Sequence, residues 1–113
     1  MTTGHQMNGM LGVYLTAAEL TSRQFIVSPT SRSAFGADLL VTDQQCKRAW
    51  SVQVKTKNGR QRYWLLNKAA KDLKSRSHIY VFVDLNGENR PDYLVVRSET
   101  VIKSMTTYNT EAQ

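Results

Sequence analysis

Ala49-Trp50-Ser51-Val52-Gln53-Val54-Lys55-Thr56 is the stretch on which the fold turns. Trp50, Val52 and Val54 fall on one side of an extended chain, and Ser51, Gln53 and Lys55 fall on the other. That alternation predicts a strand with one apolar and one polar face. Immediately upstream, Ala37 to Thr42 reads as a second strand, joined to it through a turn at Asp43 to Lys47. Downstream, Asn58-Gly59 is a turn signal, followed by a short strand at Tyr63 to Leu66. Asn67 can then cap a Lys-rich helix running to about Ser75. His78-Ile79-Tyr80-Val81-Phe82-Val83-Asp84-Leu85 is apolar on both sides, as a central strand should be. Asn86 to Pro91 turns the chain, Asp92 to Arg97 returns as a strand, and Ser98 caps a last helix to Met105.

The N-terminal side completes the pattern. Gln6 to Gln24 reads as a helix, with Met7, Met10, Leu11, Tyr14 and Ala18 recurring at three- and four-residue steps as its core-facing side. Gly9 and Gly12 weaken this helix and point to close packing against a neighbour. Phe25-Ile26-Val27 is a short β-branched strand stopped by Pro29, and Thr30 to Gly36 is a polar loop. The order is helix, three strands, helix, two strands, helix. It predicts one α/β domain over residues 1–113 around a mixed sheet, with residues 1–5 and 106–113 frayed.

Composition narrows the partners. The chain has 113 residues, 41% of them hydrophobic, enough for one core and unlike a disordered tail. No apolar run approaches the roughly 20 residues that span a bilayer, so no membrane partner is expected. The N-terminus lacks the pattern of a signal peptide, and a cytoplasmic location is the expectation. Cys46 is the single cysteine, which excludes an internal disulfide and a cysteine-rich zinc site. Fifteen Lys and Arg against nine Asp and Glu give a net charge of +6. The excess is concentrated: ten basic residues and one acid lie between Lys47 and Arg76, a local charge of +9, against −3 elsewhere. A block that basic, with Tyr63 and Trp64 inside it, suits a nucleic-acid backbone. The plainer alternative is a solvated Lys-rich face.

The chemistry-bearing residues converge on the same region. Asp38 opens the second strand, and Gln53 and Lys55 project from one side of the third. Glu19 lies on the first helix, whose polar side could reach the same end of the sheet. Two carboxylates and an amide oxygen are hard ligands suited to Mg²⁺ or Mn²⁺. A lysine beside such a metal can orient an attacking water and stabilise charge on phosphate. The alternative is a polar sheet face wetted by solvent. Arg32, between Ser31 and Ser33, would border the site, and Lys57, Arg60 and Arg62 follow the strand as backbone-contact residues. His78 and Trp50 read as structural, and Cys46 as incidental.

Gly36-Ala37-Asp38-Leu39-Leu40-Val41, followed by Val52-Gln53-Val54-Lys55-Thr56, resembles the bipartite active-site signature of the PD-(D/E)XK nuclease superfamily, which includes Holliday-junction resolvases and many restriction endonucleases. Trp64 to Lys68, Tyr80 to Leu85 and Arg90 to Tyr93 are similar to segments of its small bacterial members, so the likeness covers residues 9 to 103. The resemblance implies a restriction-endonuclease-like three-layer fold, a central mixed sheet flanked by helices. It implies Asp38 as principal metal ligand, Glu19 as auxiliary acid and Lys55 as catalytic lysine. Gln53 stands where the family usually has Asp or Glu, which removes a negative charge from the metal site. The expected function is a DNA-binding, divalent-metal-dependent phosphodiesterase, endonuclease-like and suited to branched DNA. The alternatives are a catalytically silent module that retains the fold, and a protein-interaction domain. A homodimer is the corresponding expectation, because paired sites cut two strands.

Overall fold

Helix α1 (Gly4–Ser22) is oriented by its smallest residue. In the computed structural model, which describes residues 4–31, 36–59 and 75–104, Gly12 lies against Thr56 of the sheet. A methyl group at position 12 would collide with the Thr56 hydroxyl and meet its Cβ and Cγ2 at 3.0 Å. This close approach turns Gly12, Val13 and Thr16 inward, with Leu15, Ala17 and Leu20 partly covered. Thr16 is tolerated there because its hydroxyl donates to the Gly12 carbonyl at 2.8 Å. The seam expected from periodicity is therefore corrected. Met7, Leu11 and Tyr14 are 53%, 46% and 57% exposed, and Ala18 also faces solvent. A periodicity count follows bulky apolar residues and scores Gly and Thr as breaks. Here the backbone approach that only glycine permits decides which side faces the sheet.

The helix closes with a Schellman turn. Phe25 N–H donates to the Leu20 carbonyl and Gln24 N–H to that of Thr21, at 3.1 and 3.0 Å, with Gln24 at a φ of 75°. The chain then enters a five-stranded sheet of order β1-β2-β3-β4-β5. Its strands are β1 (Ile26–Pro29), β2 (Leu39–Thr42), β3 (Ala49–Lys57), β4 (His78–Asp84) and β5 (Asp92–Arg97). Neighbours run antiparallel except β3 and β4, which are parallel. The β2–β3 turn is held by the Asp43 carboxylate, which accepts the Lys47 and Arg48 N–H groups at 2.8 and 3.2 Å. The expected strand at 63–66, the helix at 67–75 up to its last residue, and the frayed tail at 106–113 lie outside the described residues.

Register divides the sheet into two faces. Val52, Val54, Val81, Val83, Leu39 and Val41 join Val13 of α1 in the larger core. Ser51, Gln53, Lys55 and Lys57 point the other way, opposite His78, Tyr80, Phe82 and Asp84 in turn. On that second face Val101, from the helical residues 98–104 (α2), packs with Tyr80 and Phe82. The molecule is thus a single compact α/β domain, a mixed five-strand sheet with a described helix on each face. Ser98 plays a different part from the expected cap: its fully buried hydroxyl accepts from Ser75 N–H at 3.1 Å and donates to the Ser75 carbonyl at 2.7 Å. Among the described residues no helix is long and apolar enough to cross a membrane.

Candidate active site

Asp38 is held in place by the strand beside it. Its N–H donates to the Val52 carbonyl at 2.8 Å, and its Oδ2 accepts the Val54 N–H at 2.8 Å. Leu39 pairs with Val52, and these two bonds set Asp38 beside Val52 and Val54 of β3, at the bend where the chain enters β2. The loop before it is pinned at its base: Thr30 N–H donates to the Asp38 carbonyl at 2.9 Å and the Thr30 hydroxyl to that of Ala37 at 2.8 Å. Gly36, at a φ of 82°, supplies the left-handed residue that lets the chain turn into β2.

Gln53 and Lys55 share one face of β3. The Gln53 Oε1 is buried and has no hydrogen-bond partner among the described residues. Left unpaired, such an oxygen costs about 1–3 kcal/mol. Lys55 is half-buried and makes no ion pair among the described residues. Lys57, two residues on, has a different environment. Its Nζ lies 3.7 Å from Asp84 Oδ2, with both side chains largely covered, at 13% and 19% exposure. The Asp84 carboxyl is held below its ordinary range, first by the Gly59 N–H at 2.9 Å, then by the Asn86 N–H at 3.0 Å and the Lys57 charge, against the opposing effect of burial. Asn58 joins the same junction by accepting the Gly87 N–H at 2.7 Å. Lys57 therefore belongs to the end of the sheet where the Asn58-Gly59 turn meets the β4–β5 loop.

Glu19 lies on α1, which packs on the sheet face opposite Gln53 and Lys55, and its Oε1 accepts from Arg23 Nε at 3.0 Å. Its charge is felt at Tyr93, whose hydroxyl pKa is raised first by burial and then by Glu19. No three His, Cys, Asp or Glu side chains among the described residues are arranged to hold a metal ion. The oxygen donors on offer are the Asp38 carboxylate, held at the Val54 N–H, and the amide of Gln53, the residue before Val54. They fit a cation that keeps most of its waters, as Mg²⁺ does, better than a dehydrated cage. Arg32, Arg60 and Arg62 lie outside the described residues.

The sequence did not single out the other half of this face. His78 Nδ1 is 2.7 Å from the Ser51 hydroxyl, while its Nε2 is buried without a partner among the described residues. Tyr80, fully buried, likewise has an unpartnered hydroxyl, and it sits directly across from Gln53. The signal available was parity: once β3 and β4 pair in parallel, Ser51, Gln53, His78 and Tyr80 share a face. Comparisons of the chain with models of protein families, with characterised proteins and with solved structures give no match, so the site rests on its own geometry.

Proposed function

We propose that the protein is a divalent-metal-dependent phosphodiesterase of restriction-endonuclease-like fold, acting on DNA. The observation that carries the reading is the Asp38 carboxylate bound at the Val54 N–H of a strand that also carries, among the described residues, an unpartnered buried Gln53 oxygen and an unpaired Lys55. The helix–strand–strand–strand order, with a mixed sheet and a helix on each face, supports the finer fold. Asp38 and Gln53 would hold Mg²⁺ or Mn²⁺, which when bound supplies Lewis acidity to a phosphoryl oxygen and a more acidic water. Lys55 donates hydrogen bonds to the attacking water and to the non-bridging phosphate oxygens, opposing the negative charge that grows on them. With no carboxylate paired to it among the described residues, it keeps that charge for the substrate. The basic residues from Lys47 to Arg76, apart from Lys57 with its Asp84 partner, supply the backbone attraction. Glu19 has no part in this mechanism.

One observation favours a second reading, a DNA-binding module without catalysis: the carboxylate that a tighter metal site would use is an amide here. The two separate in one experiment. Branched, nicked and single-stranded DNA are incubated with the protein in Mg²⁺ or Mn²⁺, with Asp38→Asn and Lys55→Ala alongside. Asp38→Asn keeps an oxygen for the Val54 N–H and removes only the charge. Each substitution is expected to slow cleavage by about 10²–10⁴-fold. Salt-sensitive binding without cleavage would select the silent module, and the absence of such binding would sink both readings.

A further inference from the structure

We propose that Asn58-Gly59 and Asn86-Gly87 are latent deamidation sites interlocked by the fold, with Asp84 guarding the first and Asn58 the second. An asparagine followed by glycine is especially open to this modification, because no side chain hinders the attacking backbone amide. The glycine nitrogen gives up its proton to base and attacks the asparagine Cγ, closing a cyclic imide. The Cγ–Nδ2 bond breaks, and that nitrogen leaves as ammonia. Water then opens the ring at either carbonyl, which yields aspartate or isoaspartate. The reaction needs a glycine N–H free to lose its proton and a carboxamide free to turn towards it.

Neither freedom exists where the end of β3 meets the β4–β5 loop. Gly59 N–H donates to Asp84 Oδ1 at 2.9 Å, and Gly87 N–H donates to Asn58 Oδ1 at 2.7 Å. Each attacking nitrogen thus commits its proton to a residue other than its own asparagine. The Asn58 carboxamide is engaged by the second loop through the same contact. That of Asn86 is fixed within its own loop, Nδ2 donating to the Arg90 carbonyl at 3.0 Å and to Asp92 Oδ2 at 2.9 Å. Asp84 suits its part, because an anion beside an N–H opposes loss of the proton. Exclusion of water is not the guard, since Asn58, Gly59 and Gly87 are all exposed.

The two locks have different keys. Loss of the Asp84 carboxylate releases Gly59 onto Asn58, whereas loss of the Asn58 carboxamide releases Gly87 onto Asn86. Reaction at Asn58 would add a negative charge next to Lys57, and its isoaspartate product would lengthen the backbone just beyond β3. The third Asn-Gly step of the chain, Asn8-Gly9, lies within α1 and serves as an internal reference. None of this depends on the proposed function.

The test incubates the full chain in mildly alkaline buffer and follows each Asn-Gly peptide by mass spectrometry, which reads the exchange of amide for acid. Asn58 and Asn86 of the folded wild type are expected to react about ten-fold more slowly than in the same chain in urea, the worth of one hydrogen bond. Asp84→Ala should speed Asn58, and Asn58→Ala should speed Asn86, each by about ten-fold with Asn8 unchanged. Asn58→Ala leaves Asp84 and its bonds in place, so this arm stands even where Asp84→Ala unfolds. Hydrogen exchange removes the same amide proton, and Gly87 should exchange faster in Asn58→Ala. Wild-type rates equal to those in urea, or an Asn86 rate and Gly87 exchange unchanged in Asn58→Ala, would overturn the interlock.

Discussion

On the face covered by α1, Val52, Val54, Val81 and Val83 pack against Val13 with nothing to hydrogen-bond, whereas the face behind it carries Ser51, Gln53, Lys55, His78 and Tyr80 at the same levels of the same two strands. Each face is imperfect in its own way. The first leaves an apolar cavity of about 210 Å³ lined by Leu20, Phe25, Val41, Trp50, Val52, Ile79, Val81 and Val95. Its one buried polar orphan among the described residues is the Thr56 hydroxyl, pressed against Gly12. The second leaves three orphaned polar atoms. An open pocket lined by apolar side chains offers no polar chemistry. Unpaired buried dipoles do offer it, because they can be satisfied by a cation, a water or a reacting group. The comparison teaches where to look: at the face that burial has left polar.

The contrast breaks most severely at Gly12. Gly12→Ala forces a methyl group into Thr56 and should destabilise the fold by about 2–3 kcal/mol, seen as a fall in Tm. Adding Thr56→Ala should recover most of the loss, and a single variant of wild-type stability would refute the close approach.

A smaller effect is expected at the edge of the polar face. Lys57→Ala strips a largely covered carboxylate of its partner and should cost about 1–2 kcal/mol, between exposed and fully buried pairs. Because the folded Asp84 pKa is depressed, its stabilisation is complete above the unfolded carboxylate value, about 3.9, and is lost as pH falls through the lower folded value. Acid titration of stability should show that loss in the wild type and not in Asp84→Asn.

The smallest effect on stability distinguishes the two lysines. Lys55→Ala should change stability by no more than about 0.5 kcal/mol. It should nevertheless weaken DNA binding and lower the salt dependence of binding by about one phosphate contact. Lys57→Ala should do the reverse, and equal behaviour of the pair would erase the distinction between them.

The strands were legible because β-sheet parity is a local property. Ala49 to Thr56 announces its two faces by alternation alone, and the doubly apolar His78 to Leu85 announces an interior strand. The rotation of α1 was not legible, because it depends on a contact between Gly12 and Thr56, 44 positions apart in the chain, and on a threonine that bonds its own helix. Gln53 and Lys55 could be placed on one face from their spacing. Glu19 could not, because which side of the sheet a helix covers follows from connection geometry rather than from its polar residues. The pairing of Lys57 with Asp84, and of Gln53 with Tyr80, needed the parallel register, which no local pattern encodes.

The bond from the Val54 N–H to Asp38 has a consequence for reading descent from function. An aspartate that finishes a strand ladder has a reason to stay even where chemistry has lapsed, since losing it would leave a backbone amide unpaired. Lys55 has no such second employment among the described residues. On the proposed function, a drift from cutting DNA to merely holding it would cost the lysine first, so of the two residues Lys55 is the one whose replacement would mark a silent site.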